Sequence, residues 1–154
     1  MSTTATEEEL VKIHFTFDPE KDERYEGSPA GENTWAAPMQ GGRSGLFQVR
    51  NVPFFTYDVS FMDIVRVVET DDYDREVVEV VGNSGFGLVR LLAREDGVLE
   101  GLVDRLEAAF PAAHIEGGFG ILLAIAVAET DIKRLLAFLV SDGDYAVEVA
   151  KGVQ

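Results

Sequence analysis

The chain has no cysteine. That absence removes disulfides, thiolate nucleophiles and cysteine-ligated zinc together. It also fits a reducing compartment, so a cytoplasmic location is expected. Histidine, the side chain best suited to proton transfer near neutrality, is nearly missing: the chain has His14 and His114. Neither has an Asp, Ser or second His at the spacing of a triad or a metal site, so a surface role is favoured over catalysis for both. Positive charge is scarce, with 13 Lys and Arg against 28 Asp and Glu and a formal net charge of -15. A nucleic-acid binder needs cations to neutralise phosphates, and an anionic membrane asks for the same. Neither partner is expected, whereas a basic peptide or protein would be steered in. Long apolar runs are lacking too. The longest, 119–128, falls well below the roughly 20 residues of a membrane span. The first residues carry no basic region and no apolar stretch, so no secretory signal is read there, and 1–9 is expected to be a disordered tail.

What is present is a globular composition, 46% hydrophobic over 154 residues, enough for one domain or two small subdomains. Val11, Ile13, Phe15 and Phe17 alternate with Lys12, His14 and Thr16, which predicts a strand over 10–17 with one buried face. A charged loop follows. Strands are predicted at 34–39 and 46–52, joined by a turn at Gly41, Gly42 and Gly45, and at 64–68 and 77–81, joined by an acidic tip. Pro53 ends the first of these hairpins, after the strand at 46–52. Five short strands with polar turns suggest a small β-barrel or curled sheet over 10–84.

After Gly85 the period changes. A strand at 88–93 precedes a helix capped by Asp96, with Leu99, Leu102, Val103, Leu106 and Phe110 on one face. A short strand begins at Ile115, and Gly117, Gly118 and Gly120 turn the chain into a strand at 121–128. Thr130 or Asp131 caps a second helix with Ile132, Leu135, Leu136, Leu139 and Val140 on its face; Gly143 stops it, and 145–149 closes as a strand. Strand, helix, strand, strand, helix, strand is the ferredoxin-like βαββαβ order, expected over 85–154. The fold class is therefore α+β. In the strand at 121–128, Ile121, Leu123, Ile125 and Val127 fill one face and Leu122, Ala124, Ala126 and Ala128 the other. Helices cover one face of such a sheet. The other needs the barrel, a ligand or a second copy of the chain, which makes a homodimer one expectation.

Several motifs read better as structure than as chemistry. Asp71, Asp72, Asp74 and Glu76 lack the glycine and terminal Glu of a calcium loop and read as a solvated hairpin tip. Gly85 and Gly87 lead into a strand, where a dinucleotide loop needs a helix N-terminus. No cofactor and no metal are expected.

One stretch is recognisable. Thr34-Trp35-Ala36-Ala37-Pro38, then Asn51-Val52-Pro53-Phe54-Phe55, then Val59-Ser60-Phe61-Met62-Asp63-Ile64-Val65 resembles a bacterial family catalogued as domain of unknown function 4265. The resemblance implies a bacterial origin and a two-part layout, and no activity. Two departures stand out. The family often shows Ser-Gly-His-Ser-Thr where this chain has Ser84-Gly85-Phe86-Gly87-Leu88, and it has Gly where Met62 stands. A His beside a hydroxyl suits proton transfer, and this chain has lost both.

The aromatics are the remaining signal. Trp35, Phe54, Phe55, Tyr57 and Phe61 cluster in sequence, with Phe86 at the junction of the halves. Consecutive residues of an extended segment point oppositely, so one of Phe54 and Phe55 should face the junction or a partner. Among few nearby cations, Arg43, Arg50 and Arg90, the last is separated from Phe86 by an even interval and should share its face. Arg90 is a candidate carboxylate anchor, against the simpler reading of an internal ion pair. Phe86, Arg90, Trp35, Phe54 and Phe55 are the candidate binding residues, with no catalytic residue. The function expected is non-catalytic binding of a peptide or protein, as an accessory protein guiding a peptide substrate or an acidic immunity-type protein. The alternative is a small enzyme using carboxylates alone, with Asp63 and Glu79 as candidates.

Overall fold

A computed structural model describes residues 9–39, 45–118, 120–139 and 144–152. The tail before Glu9, the turn at Gly41 and Gly42, Arg43, Val140 and the stop at Gly143 lie outside the described residues.

The protein is α+β and mostly strand, with nine strands in two sheets and two α-helices among the described residues. The first sheet takes β1 (Val11–Thr16), β2 (Gly31–Pro38), β3 (Leu46–Val49), β4 (Ile64–Val68) and β5 (Glu76–Gly82) in sequential order and closes on itself. Neighbours are antiparallel except at the closure, where β1 meets β5 in parallel at His14 and Glu76. The alternation read in β1 is observed, with Ile13, Phe15 and the following Phe17 buried beside Val49, Val65 and Val67. Strand β2 starts three residues earlier than its sequence signal, because the whole of β1 through Thr16 and Gly31 pairs with it.

The second sheet contains β6 (Phe86–Ala93), β7 (His114–Gly118), β8 (Leu122–Ala128) and β9 (Tyr145–Lys151) in the order β7-β8-β6-β9, all neighbours antiparallel. Helix α1 (Leu102–Ala109) joins β6 to β7, and α2 (Ile132–Leu139) joins β8 to β9. Their buried Leu102, Leu106, Ile132, Leu135 and Leu139 pack on Val89, Leu91, Leu123, Ile125 and Val127. Three local readings are corrected. Asp96 does not cap α1: Gly97 and Gly101 both take positive φ, the chain turns between them, and the helix starts after Gly101. Thr130 and Asp131 lie within a 3-10 turn, Glu129–Asp131, that runs into α2, instead of standing outside a helix start. Gly117 and Gly118 belong to β7 rather than to the turn, and Gly118 leaves room for the Phe54 ring, 3.4 Å from where a β-carbon would stand.

The other face of the second sheet is where the two sheets meet. Leu88, Ala124, Ala126 and Ala150 lie buried against Val52, Phe54, Tyr57, Phe61 and Phe86. The small apolar face of β8 that raised a homodimer as an expectation is thus covered by the chain itself.

Candidate functional site

The two sheets are joined by an irregular segment, 51–57, that contains the Asn-x-Pro-Phe-Phe string. A buried segment without ladder partners must satisfy its backbone groups elsewhere. Here carboxylates do so from both sides. Glu32 of β2 accepts from the N–H groups of Phe54, Phe55 and Thr56 at 2.6, 3.0 and 2.9 Å, and from the Thr56 hydroxyl at 2.8 Å. Glu116 of β7 accepts from the Val52 N–H at 2.6 Å and from the Asn51 amide. The Tyr57 N–H donates to the Tyr25 hydroxyl. Burial pushes the Tyr25 phenol above its ordinary value, and the hydrogen bond from the Tyr57 N–H offsets part of that rise.

The carbonyls of the same segment are taken by Arg90. Its guanidinium, 4% exposed, donates from Nη1 to the Thr56 oxygen at 2.9 Å and to that of Pro53, from Nη2 to that of Phe55 at 3.3 Å, and from Nε to Glu148 of β9 at 3.1 Å. Its fifth group of contacts is the Tyr57 ring, centred 4.8 Å away. The Tyr57 hydroxyl donates to the second Glu148 oxygen at 2.6 Å. Burial first and the Glu148 hydrogen bond second raise the Tyr57 phenol above its ordinary value. The simpler reading of Arg90 therefore holds: its carboxylate partner is internal.

Outside this network lies a groove of about 420 Å³. Phe54, Phe55, Tyr57, Leu91, Leu92, Ile121, Leu122 and Ala146 form most of its wall, with Arg90, Glu148 and Ser28 at the polar positions. Leu92, 52% exposed, stands on its open side. The adjacent phenylalanines serve different cores. Phe54 packs on the junction with Leu88 and Ala124, and Phe55 on the interior of the first sheet. The segment bends instead of running extended, so both also reach the groove.

The structure does not gather all five candidate residues. Phe54, Phe55 and Arg90 share the groove; Phe86 and Trp35 do not line it. Phe86 shares the sheet face of Arg90, as the even interval requires, but four residues of strand separate them by about 13 Å. It sits instead with Phe61 and His114, ring centroids 5.6 and 5.5 Å away. Trp35 points outward from β2, 44% exposed, because its neighbours Thr34 and Ala36 take the inward positions; Lys12 lies over its ring. Glu148, Glu32 and Glu116 were not singled out from sequence, since isolated acids in a chain this acidic give no signal to find them by; Tyr57 was named within the aromatic cluster but, like Leu92, not as a binding residue.

A second polar cluster lies at the other end of the junction. Asp63, fully buried, accepts from Lys151 Nζ at 2.8 Å, from the Ser60 and Ser84 N–H groups at 2.8 Å each, and from the Ser84 hydroxyl at 2.7 Å. Glu79, the other carboxylate candidate, instead pairs with Arg66 on the surface of the first sheet. The family's glycine at position 62 has a structural reason: Met62 has φ 71, a left-handed conformation that favours glycine. The glycine at 87 has another. A β-carbon there would collide with Ile132 of α2 and lie 2.9 Å from the Lys151 carbonyl.

A closed sheet docked on a helix-backed sheet, with an apolar groove over an internally bonded polar network, defines a small α+β protein organised around one internal junction. The chain belongs to the family described as Domain of unknown function (DUF4265), whose model matches residues 32–148. In structure it is similar to a hypothetical protein from Neisseria gonorrhoeae solved by crystallography, at 17% identity and a TM-score of 0.70, covering 97% of this chain and 100% of that one. At that identity the likeness concerns the fold. No curated protein matches the chain. No helix among the described residues is long and apolar enough to cross a membrane.

Proposed function

We propose that this chain is a non-catalytic peptide- or protein-binding protein, and that the groove beside Arg90 receives an apolar side chain of its partner. The observation that carries this reading is the character of the groove. Its wall is apolar, and its charged groups are engaged with one another and with backbone carbonyls. Such a surface offers area and shape, with Phe54, Phe55, Tyr57 and Leu92 as contacts, instead of a reacting group. An accessory protein guiding a peptide substrate and an acidic immunity-type protein both fit it. The enzyme alternative has less support, since Asp63 and Glu79 bond to different partners and Asp63 is saturated.

The same reading takes the two sheets as two subdomains, a small barrel over 10–84 and a ferredoxin-like half over 85–154. The closed strand order of the first and the β7-β8-β6-β9 order of the second support it. The compartment expected remains the cytoplasm.

The test is selection of peptides from a displayed random library on the immobilised protein, repeated with Leu92→Glu. Leu92 is half exposed, so the charge should leave the thermal midpoint within a few degrees while weakening selected peptides by about 2 kcal/mol or more. Peptides that bind Leu92→Glu equally well would remove the groove from the proposal.

A further inference from the structure

Strand β9 is the outer strand of the second sheet and, among the described residues, has a ladder partner only in β6. Which of its backbone groups face outward follows from the register. The Ala93 N–H donates to the Ile121 carbonyl, so alternate residues of β6 from Ala93 backwards bond toward β8, and Leu92 and Arg90 bond toward β9. Their partners Ala146 and Glu148 turn inward, and Val147 and Val149 turn their N–H and C=O groups to the open side. Among the described residues nothing bonds to those of Val147. Further along the edge the Ala150 carbonyl accepts from the Asp58 N–H at 2.9 Å.

An open edge is usually blunted by a proline, a lysine or a bulge. Here the stretch ahead of the bulge near Val149 carries two exposed valines, Val147 at 40% and Val149 at 41%. Between them stands Glu148, whose half-exposed carboxylate has accepted one bond on each oxygen and can accept more. On the same sheet face as Glu148, Ala146 and Leu92 form a wall of the apolar groove.

Resting on the binding reading above, we propose that the partner is an extended basic peptide segment that adds to the β9 edge as a further strand. Apolar residues would lie opposite Val147 and Val149, a Lys or Arg opposite Glu148, and a large apolar residue opposite Ala146, reaching into the groove. Backbone pairing supplies the attachment, and the alternate side chains supply selection. The sign of the partner follows from Glu148 and from the net charge of -15. Charge also argues against two other occupants. In a two-fold arrangement of two copies that pairs Val147 with Val149, Glu148 would face its own counterpart. The N-terminal segment of this chain carries Glu7, Glu8 and Glu9.

The test uses a short acetylated and amidated peptide, Thr-Val-Lys-Val-Phe-Lys-Thr-Lys, on the full chain. Its companions replace each Lys by Glu, or N-methylate alternate backbone amides on the pairing edge. Affinity is read by fluorescence anisotropy and the site by amide hydrogen exchange. The Lys peptide should bind and slow exchange at Val147 and Val149. The Glu peptide and the N-methylated peptide should bind at least tenfold more weakly, as should the Lys peptide to Val147→Pro, which removes an outward N–H and leaves the β6 ladder intact. Binding that tolerates N-methylation but is lost in Leu92→Glu would overturn strand addition and leave the groove standing. Binding indifferent to both would overturn the two together, as would failure of every peptide to bind. Concentration-dependent protection of Val147 in the free protein would assign the edge to a second copy, and loss of free-protein protection on deleting residues 1–8 would assign it to the tail; either overturns the peptide proposal.

Discussion

The second sheet is covered twice, and the two covers are built differently. On the helix side, large side chains meet large side chains: Leu91, Leu123 and Ile125 against Leu106, Leu135 and Leu139, and among the described residues no charged side chain is buried there. On the side of the first sheet, alanines at 124, 126 and 150 meet aromatics, and two ionisable side chains, Arg90 and Asp63, are buried at either end of the patch. The difference follows from what each side has to cover. A helix satisfies its own backbone and presents only side chains. An irregular segment such as 51–57 brings unpaired N–H and C=O groups with it, and these need Glu32, Glu116 and Arg90. The first cover is held by area, the second by bonds whose loss leaves a buried group unsatisfied.

Removing one member of the Asp63–Lys151 pair is the strongest way to break that contrast. Asp63→Ala takes from the Lys151 ammonium, 11% exposed, its buried carboxylate partner, leaving it Asn83 and a longer contact to Glu129, and strands two backbone N–H groups; it should cost about 3–5 kcal/mol in chemical denaturation. Leu106→Ala on the helix side should cost about 2–5 kcal/mol by opening a cavity. Size does not separate the two mechanisms, but a double mutant does. Adding Lys151→Met to Asp63→Ala should recover part of the loss, because the stranded charge is gone. A second truncation beside Leu106 should only deepen the loss. Simple additivity at Asp63 and Lys151 would mean that the second cover is also held by area.

The next effect is smaller and of opposite sign. Met62 holds a left-handed conformation in the turn that leads to Asp63, and its N–H donates to the Val49 carbonyl. Glycine reaches that conformation without the steric cost, at some expense in chain entropy. Met62→Gly should raise stability by about 0.5–1 kcal/mol, read as a higher denaturation midpoint with an unchanged slope. A loss would show that the Met62 side chain contributes packing to the junction that outweighs the strain of its backbone.

How much of this was legible in the sequence depends on the range of the interaction. Period-two alternation in β1 and β8 and the helical spacing of Leu102, Leu106, Ile132, Leu135 and Leu139 are local patterns, and they placed strands, helices and both faces of β8. The substitution of Met for glycine at 62 was visible as a departure from the family and acquired its reason only from φ. Helix α1 was misplaced at its start because Gly97 and Gly101 override the capping signal of Asp96. The site was legible in part. Parity put Phe86 and Arg90 on one face, but parity carries no distance along the strand. Glu32 and Glu116 reach the 51–57 segment from 22 and 64 residues away, and nothing in a chain of 28 acids marks these two.

The smallest expected effect concerns the phenols that border the junction and tests whether its polar network is as closed as its geometry suggests. Tyr25 and Tyr57 both have their phenols held above the ordinary value of about 10, chiefly because burial disfavours the phenolate, and at Tyr57 also because Glu148 accepts its proton. A phenol that titrates higher in the folded chain keeps its proton where the unfolded chain has lost it. Stability should therefore be flat with respect to these groups below about pH 10 and fall as pH rises through the higher folded values. Tyr57→Phe removes one of the two contributions and one bond to Glu148. It should lower stability slightly at neutral pH and flatten the alkaline decline, seen as a smaller drop in thermal midpoint between about pH 9 and about pH 11. The comparison belongs between Tyr57→Phe and the parent chain at matched pH, where every other group of the chain is the same. An equally steep decline in both would mean that the Tyr57 phenol is open to solvent, and that the Arg90, Tyr57 and Glu148 network is a surface feature instead of part of the second cover.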